Sequence, residues 1–73
     1  MRQITVEEFS SLKPGEHITY LSLDARHIQA VCQVIGLPLG DYVALEVEHS
    51  ESKYLKDYDT AKPLQAHYLQ LFK

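Results

Sequence analysis

The sequence predicts a small, mainly β domain of the α+β kind, in which a short N-terminal helix precedes an antiparallel meander or small barrel of about four or five strands. Four observations support this prediction. A helix start signal lies at Thr5, a Pro14-Gly15 turn follows it, and β-branched and aromatic residues dominate the segment after the turn. Residues 42–48 then alternate apolar and polar side chains with the period of a half-buried strand.

The chain has 73 residues, and we expect one domain over residues 1–73, with residues 3–12 as a helical lead-in and residues 16–73 as the β-barrel or meander. A core of this size contributes only roughly 3–5 kcal/mol of net stability. Cys32 is the only cysteine and lies in an apolar run, which predicts a buried thiol. The lone cysteine, with no signal-like or membrane-spanning segment, predicts a cytoplasmic protein.

The helix is predicted from its cap. Thr5 and Glu8 have the spacing of a capping box, and Ile4 is placed to pack on Phe9 as a hydrophobic staple. Pro14 disfavours helical geometry in the residue before it, so the helix must end near residue 12. The residues expected to face inward are Val6, Phe9 and Leu12.

The strands are predicted from alternation and from turn residues. Strand one covers residues 17–23, with apolar residues on both faces, which indicates a strand that curls in a barrel, contains a bulge or is covered on both sides. Strand two covers residues 27–35, and a loop bounded by glycines covers residues 36–41. Strand three covers residues 42–48, the clearest alternation in the chain, and a polar turn is expected over residues 49–52.

The last third leaves two alternatives open. Tyr54 and Tyr58 lie four residues apart, which fits a helix, yet tyrosine also favours strands. Residues 64–72 fit either a helical face or a two-sided strand. We expect strands in both places, because a short meander needs closing partners for its open edges.

The strand lengths, the tight turns and the Lys13-Pro14-Gly15-Glu16 entry into the first long strand together resemble SH3-like and similar small β-barrels. The resemblance covers most of the chain and contains no signature motif of a family. It implies a fold, and a fold of this kind does not imply a function.

Patterns of catalytic or metal-binding residues are missing. The histidines have no recognised ligand spacing, no serine lies in a Gly-x-Ser-x-Gly elbow, and the 36–41 loop lacks the Lys-Ser/Thr of a phosphate-binding loop. Glu46 and Glu48 lie roughly 7 Å apart on one strand face, but an outward strand face is normally only solvated. We therefore expect no enzyme activity, no metal and no cofactor.

Tyrosine combined with acidic charge is the remaining signal. Five of the seven aromatic residues are tyrosines, and in residues 37–73 six acidic residues face four basic ones. Tyrosine is enriched at protein interfaces, and carboxylates attract a basic partner. We predict an interaction module that binds and modulates or inhibits a protein with a basic face. The predicted contact residues are Tyr42, Glu46, Glu48, Glu51, Tyr54, Asp57, Tyr58 and Asp59.

Two other interpretations stay open. A small barrel could bind single-stranded nucleic acid by stacking bases on Tyr20, Tyr42 or Tyr54, although the net charge of −3 and the dispersed basic residues disfavour it. A homodimer joined through an edge strand would add the core that a chain of this size lacks. As a refinement of the first interpretation, the carboxylates could stand in for phosphates if the partner normally binds nucleic acid.

Overall fold

A computed structural model of the protein describes residues 1–22, 29–50 and 62–73. Its elements are the helix α1 (Val6–Ser10), the strands β1 (His17–Leu21), β2 (Gln29–Val34), β3 (Tyr42–Ser50) and β4 (Leu64–His67), the 3₁₀ helix η1 (Tyr68–Gln70) and the strand β5 (Leu71–Phe72). The protein is therefore mainly β with one short α-helix, as the sequence predicts. No helix in this part of the chain is long and apolar enough to cross a membrane.

All five strands form one antiparallel sheet in the spatial order β4-β3-β2-β1-β5. The first four strands form a meander, in which each strand pairs with the next one along the chain. β5 then returns to the free side of β1, where Thr19 pairs with Phe72 and Tyr20 pairs with Leu71. The sheet curls into a half-barrel, which confirms the predicted small barrel or meander.

The capping box at the start of α1 is confirmed. The Thr5 hydroxyl oxygen accepts a hydrogen bond of 3.1 Å from the Glu8 amide, and the Glu8 carboxylate accepts one of 2.9 Å from the Thr5 amide. Ile4 and Phe9, the two residues of the predicted staple, both belong to the buried core. Val6 is 58% exposed, so its predicted inward orientation is wrong. Ile4, just before the cap, takes the buried place at this end of the helix.

The helix is also shorter than the predicted residues 3–12. Residues before it form strand-like contacts instead: Gln3 bridges Phe72, and the backbones of Arg2 and Lys73 exchange hydrogen bonds of 2.7 and 2.8 Å. These pairings fasten the N-terminal segment to β5. The backbone groups that a longer helix would use are therefore already paired with the other end of the chain.

The predicted Pro14-Gly15 turn is confirmed. The Glu16 amide donates to the Lys13 carbonyl at 3.2 Å, and Gly15 has φ 99°, in the left-handed region that glycine adopts without strain. The Gly15 amide also donates to the Val34 carbonyl at 2.8 Å. The turn therefore positions β1 beside the end of β2.

The core lies on the inner face of the sheet, beneath α1. It consists of Ile4, Phe9, Leu12, Ile18, Tyr20, Ala30, Cys32, Val34, Val43, Leu45, Leu64, Ala66 and Leu71. Cys32 is fully buried, as predicted, and burial, with a smaller contribution from the charge of Glu48, raises the pKa of its thiol to about 12. The thiol is therefore protonated at neutral pH.

β3 continues two residues past its predicted end, through His49 to Ser50. The reason is a β-bulge at Glu48, where the pairing with β2 shifts by one residue. The bulge restarts the alternation one position later, so Ser50 is only 8% exposed, and its hydroxyl donates to the Gln29 carbonyl at 3.2 Å. The predicted polar turn over residues 49–52 is therefore wrong at its first two positions.

The strand predicted over residues 64–72 is interrupted by η1. The imidazole Nδ1 of His67 accepts a hydrogen bond of 3.1 Å from the Leu69 amide, and the Gln70 side chain accepts one of 2.9 Å from the His67 amide. η1 is needed because β4 pairs with β3 at one end of the sheet order, whereas β5 pairs with β1 at the other. One continuous strand cannot reach both places.

Two other strands end earlier than predicted. β2 ends at Val34, one residue before its predicted end. β1 ends at Leu21, short of the predicted residue 23. The start of the predicted strand two and the ambiguous segment around Tyr54 and Tyr58 lie outside the described residues.

Candidate functional site

The outer side of β3 holds the three predicted contact residues that the structure describes. Tyr42 is 51% exposed, Glu46 is half-buried and Glu48 is exposed. Tyr42 and Glu46 lie at outward positions four residues apart, which corresponds to about 13 Å along a strand. The other predicted contact residues, outside the described residues, are Glu51, Tyr54, Asp57, Tyr58 and Asp59.

The carboxylates of β3 differ in their partners. Glu46 pairs across the sheet with Gln33, which in turn pairs with His17 of β1. The Nε2 atom of His17 lies 2.9 Å from a carboxylate oxygen of Glu48. Within the described ranges, Glu46 forms no ion pair. Its charge is therefore available to a ligand.

Lys and Arg are absent from the outward register positions of the five described strands. These positions hold His17, Thr19, Leu21, Gln29, Val31, Gln33, Tyr42, Ala44, Glu46, His49, Gln65, His67 and Phe72. The four described Lys and Arg residues, Arg2, Lys13, Lys62 and Lys73, lie outside the strands. Two of them are engaged elsewhere: Arg2 and Lys73 approach the Glu8 carboxylate at 2.6 and 3.8 Å.

The predicted loop over residues 36–41 ends in a tight hairpin tip. The backbones of Leu39 and Tyr42 exchange two hydrogen bonds, of 2.9 and 3.2 Å, around the two residues Gly40 and Asp41. Gly40 has φ 61°, which a two-residue hairpin loop requires and which glycine adopts without strain. The sequence signal for this hairpin is the Gly40-Asp41 pair between apolar residues, within the segment predicted only as a loop.

Exposed apolar side chains occur at this tip and just before it in the chain. Leu39, the backbone partner of the half-exposed Tyr42, is 85% exposed, and Leu37, two residues earlier, is 71% exposed. We call Leu37, Leu39 and Tyr42 the tip patch. Sequence reasoning included Tyr42 among the contact residues but missed the two leucines, because exposure depends on the fold.

Aromatic rings connect the tip to the core. The edge of one ring of the Tyr42–His67 pair meets the face of the other, with centroids 5.2 Å apart, and His67 stacks on Tyr68 at 4.6 Å. Tyr68 in turn contacts the buried Phe9 at 5.8 Å, and its amide donates to the Asp41 carbonyl at 3.0 Å. The Tyr42 ring is therefore connected to the buried core through His67 and Tyr68.

Tyr20 is not available as a stacking residue. It is 8% exposed, within the core, and its hydroxyl accepts a hydrogen bond of 3.3 Å from the Gln70 amide group. The prediction that bases could stack on Tyr20 is wrong, because β1 turns this side chain inward. Among the three tyrosines of that interpretation, Tyr42 is the one that the structure describes as exposed.

The described residues bring together little that is typical of catalysis. They contain no group of three or more His, Cys, Asp or Glu side chains that could hold a metal ion. Cys32 is buried and its raised pKa keeps the thiol protonated, whereas a nucleophilic cysteine is an accessible thiolate.

Comparison with known proteins identifies no relative: no protein-family model, no curated protein and no solved structure matches this chain. Function must therefore be inferred from the outer face of β3 and the tip patch themselves.

Proposed function

We propose that this protein is a small, non-catalytic interaction module that binds a protein with a basic face and modulates or inhibits that protein by occupying its surface. The contact surface is the outer side of β3. It contains Tyr42, Glu46 and Glu48. The proposal also includes, as contact residues outside the described part of the chain, Glu51, Tyr54, Asp57, Tyr58 and Asp59. We also propose that the fold is SH3-like; the meander whose last strand returns to β1 after a 3₁₀ helix supports this proposal.

The observation that supports this proposal is the outward face of the sheet, where Glu46 holds one register position, Glu48 contacts the outward His17, and no described position holds Lys or Arg. Each contact between an exposed carboxylate and a cation near 4 Å contributes about 1 kcal/mol in water. Such pairs mainly raise the association rate and select the partner. A basic protein surface is complementary to this face.

The same charge pattern disfavours the competing ligands. Nucleic acid binds proteins largely through phosphate contacts with Lys and Arg, and Glu46 and Glu48 would repel phosphates. Two copies of this chain joined through the same face would oppose like charges. These arguments favour a basic protein over an oligonucleotide or a second copy.

The first experiment is capture of partners from the lysate of the source cells on the tagged protein, in moderate salt with nuclease, followed by mass spectrometry. A single protein retained in near-stoichiometric amount is then purified and titrated. Recovery of nuclease-sensitive material alone would instead support the nucleic-acid alternative.

The titration compares the unchanged protein with the double variant E46K/E48K. We expect its affinity to fall by about tenfold or more at low salt and its dependence on salt to flatten, because two attractive contacts become repulsive. The matched control is E7K/E16K, which makes the same change in net charge at exposed positions outside the strands. Equal affinities of the two double variants would contradict the assignment of this surface.

A further inference from the structure

We propose that the tip patch of Leu37, Leu39 and Tyr42 is the apolar anchor point of this interface. It receives one large apolar side chain from an extended segment of the partner, and basic residues of the same segment lie against Glu46 and Glu48. This inference rests on the proposed function, because it assumes a basic protein partner and adds the apolar contact and its spacing.

The tip patch differs from the other exposed apolar residues by its concentration. A single exposed leucine is ordinary on a protein surface. Here two leucines with exposed fractions of 85% and 71% lie within six residues of the half-exposed Tyr42. Exposed apolar side chains grouped beside polar ones are characteristic of interaction sites, and tyrosine is among the residues that dominate binding energy.

The tip is held in one conformation before any partner binds. The reciprocal backbone hydrogen bonds of Leu39 and Tyr42 pair their side chains across the hairpin, on the same face. The Asp41 carbonyl is tied to the Tyr68 amide at 3.0 Å, and His67 packs against the Tyr42 ring. A preorganised contact loses less entropy on binding than a flexible one. The tip therefore suits an anchor better than an unsupported loop would.

The charges around the patch select the occupant. Asp41, at the tip, has a side chain that is 69% exposed, and Glu46 follows Tyr42 by four residues on the same face. An extended segment that places its anchor on the tip patch must therefore carry a Lys or Arg about 13 Å further on, which is about four residues. A second copy or an oligonucleotide would bring negative charge to Asp41 and Glu46.

The probes for the test are four fluorescein-labelled peptides of twelve residues. The first has one leucine followed by lysines four and six residues later, on a Ser/Gly background. The second replaces the leucine with serine, the third replaces the lysines with glutamine, and the fourth makes both changes. Fluorescence polarisation measures each affinity for the unchanged protein, for L39S, for E46K/E48K and for the control V6S, which removes another exposed apolar side chain away from the sheet.

We expect the leucine-lysine peptide to bind the unchanged protein and V6S most tightly, with about fivefold or greater preference over the serine-lysine peptide. L39S should lose this preference and keep the preference for lysine over glutamine. E46K/E48K should keep the preference for leucine over serine and lose the preference for lysine over glutamine. Leu39 is so exposed that L39S is expected to stay folded, which circular dichroism verifies.

The peptides distinguish failure of the anchor from failure of the proposed function. Equal binding of the leucine and serine peptides, with lysine still preferred, overturns the anchor and leaves the proposed function standing. Preference for leucine with no effect of lysine contradicts the basic partner of the proposed function. Absence of binding by all four peptides at millimolar concentration also overturns the anchor. A dimer that is detected by sedimentation and abolished by L39S overturns it as well. So does binding of a fluorescein-labelled oligothymidylate that is tighter than peptide binding and is weakened by L39S.

Discussion

Replacement of His67 with alanine tests whether one side chain holds η1 and the tip patch together. The imidazole accepts the Leu69 amide at 3.1 Å, meets the Tyr42 ring at 5.2 Å and stacks on Tyr68 at 4.6 Å. Loss of a capping acceptor costs about 1 kcal/mol, and each aromatic contact contributes about 0.5–1.5 kcal/mol. The His67 side chain is 25% exposed, so we take the lower end for the rings and expect a loss of about 2 kcal/mol.

A loss of this size is a large fraction of the roughly 3–5 kcal/mol available to a core of this size. Urea unfolding followed by far-ultraviolet circular dichroism measures it as a lower midpoint with an unchanged slope. The variant H67N keeps a side-chain acceptor near the Leu69 amide and removes the ring, so it should lose about 1 kcal/mol. The matched control is H49A, at an exposed histidine of β3, which should change stability by less than about 0.5 kcal/mol. Equal stability of H67A and H49A would refute this reasoning.

Three further predictions concern other parts of the fold. The Cys32 thiol, with its pKa raised to about 12, should react with a disulfide reagent at pH 8 far more slowly in the native state than in urea, and equal rates would mean that the thiol is accessible. The Arg2 hydrogen bonds and the Thr5 amide lower the pKa of Glu8 to about 2 from 4.5. The stability that Glu8 contributes is therefore complete above pH 4.5 and is lost as the pH falls towards 2, so the variant E8Q should unfold with a weaker dependence on pH in this window than the unchanged protein. The variant G40A should lose roughly 1 kcal/mol in urea unfolding because alanine is strained at φ 61°, whereas G36A, at a position without positive φ, serves as the control and should be close to neutral.

Several local features were predictable from the sequence because each depends on residues close together in the chain. The capping box of Thr5 and Glu8 needs one helical turn, and the turn at Gly15 needs four consecutive residues. The alternation that begins at Tyr42 reflects the pleat of a single strand. The buried Cys32 follows from the same alternation in β2.

Other features depend on contacts between distant segments. The bulge at Glu48 exists only in the pairing of β3 with β2, and η1 exists because the chain must pass from one end of the sheet order to the other. Ile4 is buried and Val6 is exposed, and the Ile4 amide donates to the carbonyl of the distant Leu71. No pattern within a window of a few residues contains this information.

The features of the candidate site also divide into those that depend on nearby residues and those that depend on distant segments. The sequence by itself determined that the outward side of β3 carries Tyr42 and Glu46, because side chains alternate along any strand. Only the tertiary structure decided that Tyr20 is buried, that Glu46 has no ion pair among the described residues, and that Leu39 is exposed beside Tyr42 at a supported hairpin tip. The physical reason is that side-chain direction is a local property of the backbone, whereas exposure and charge pairing depend on which distant segments pack against each residue.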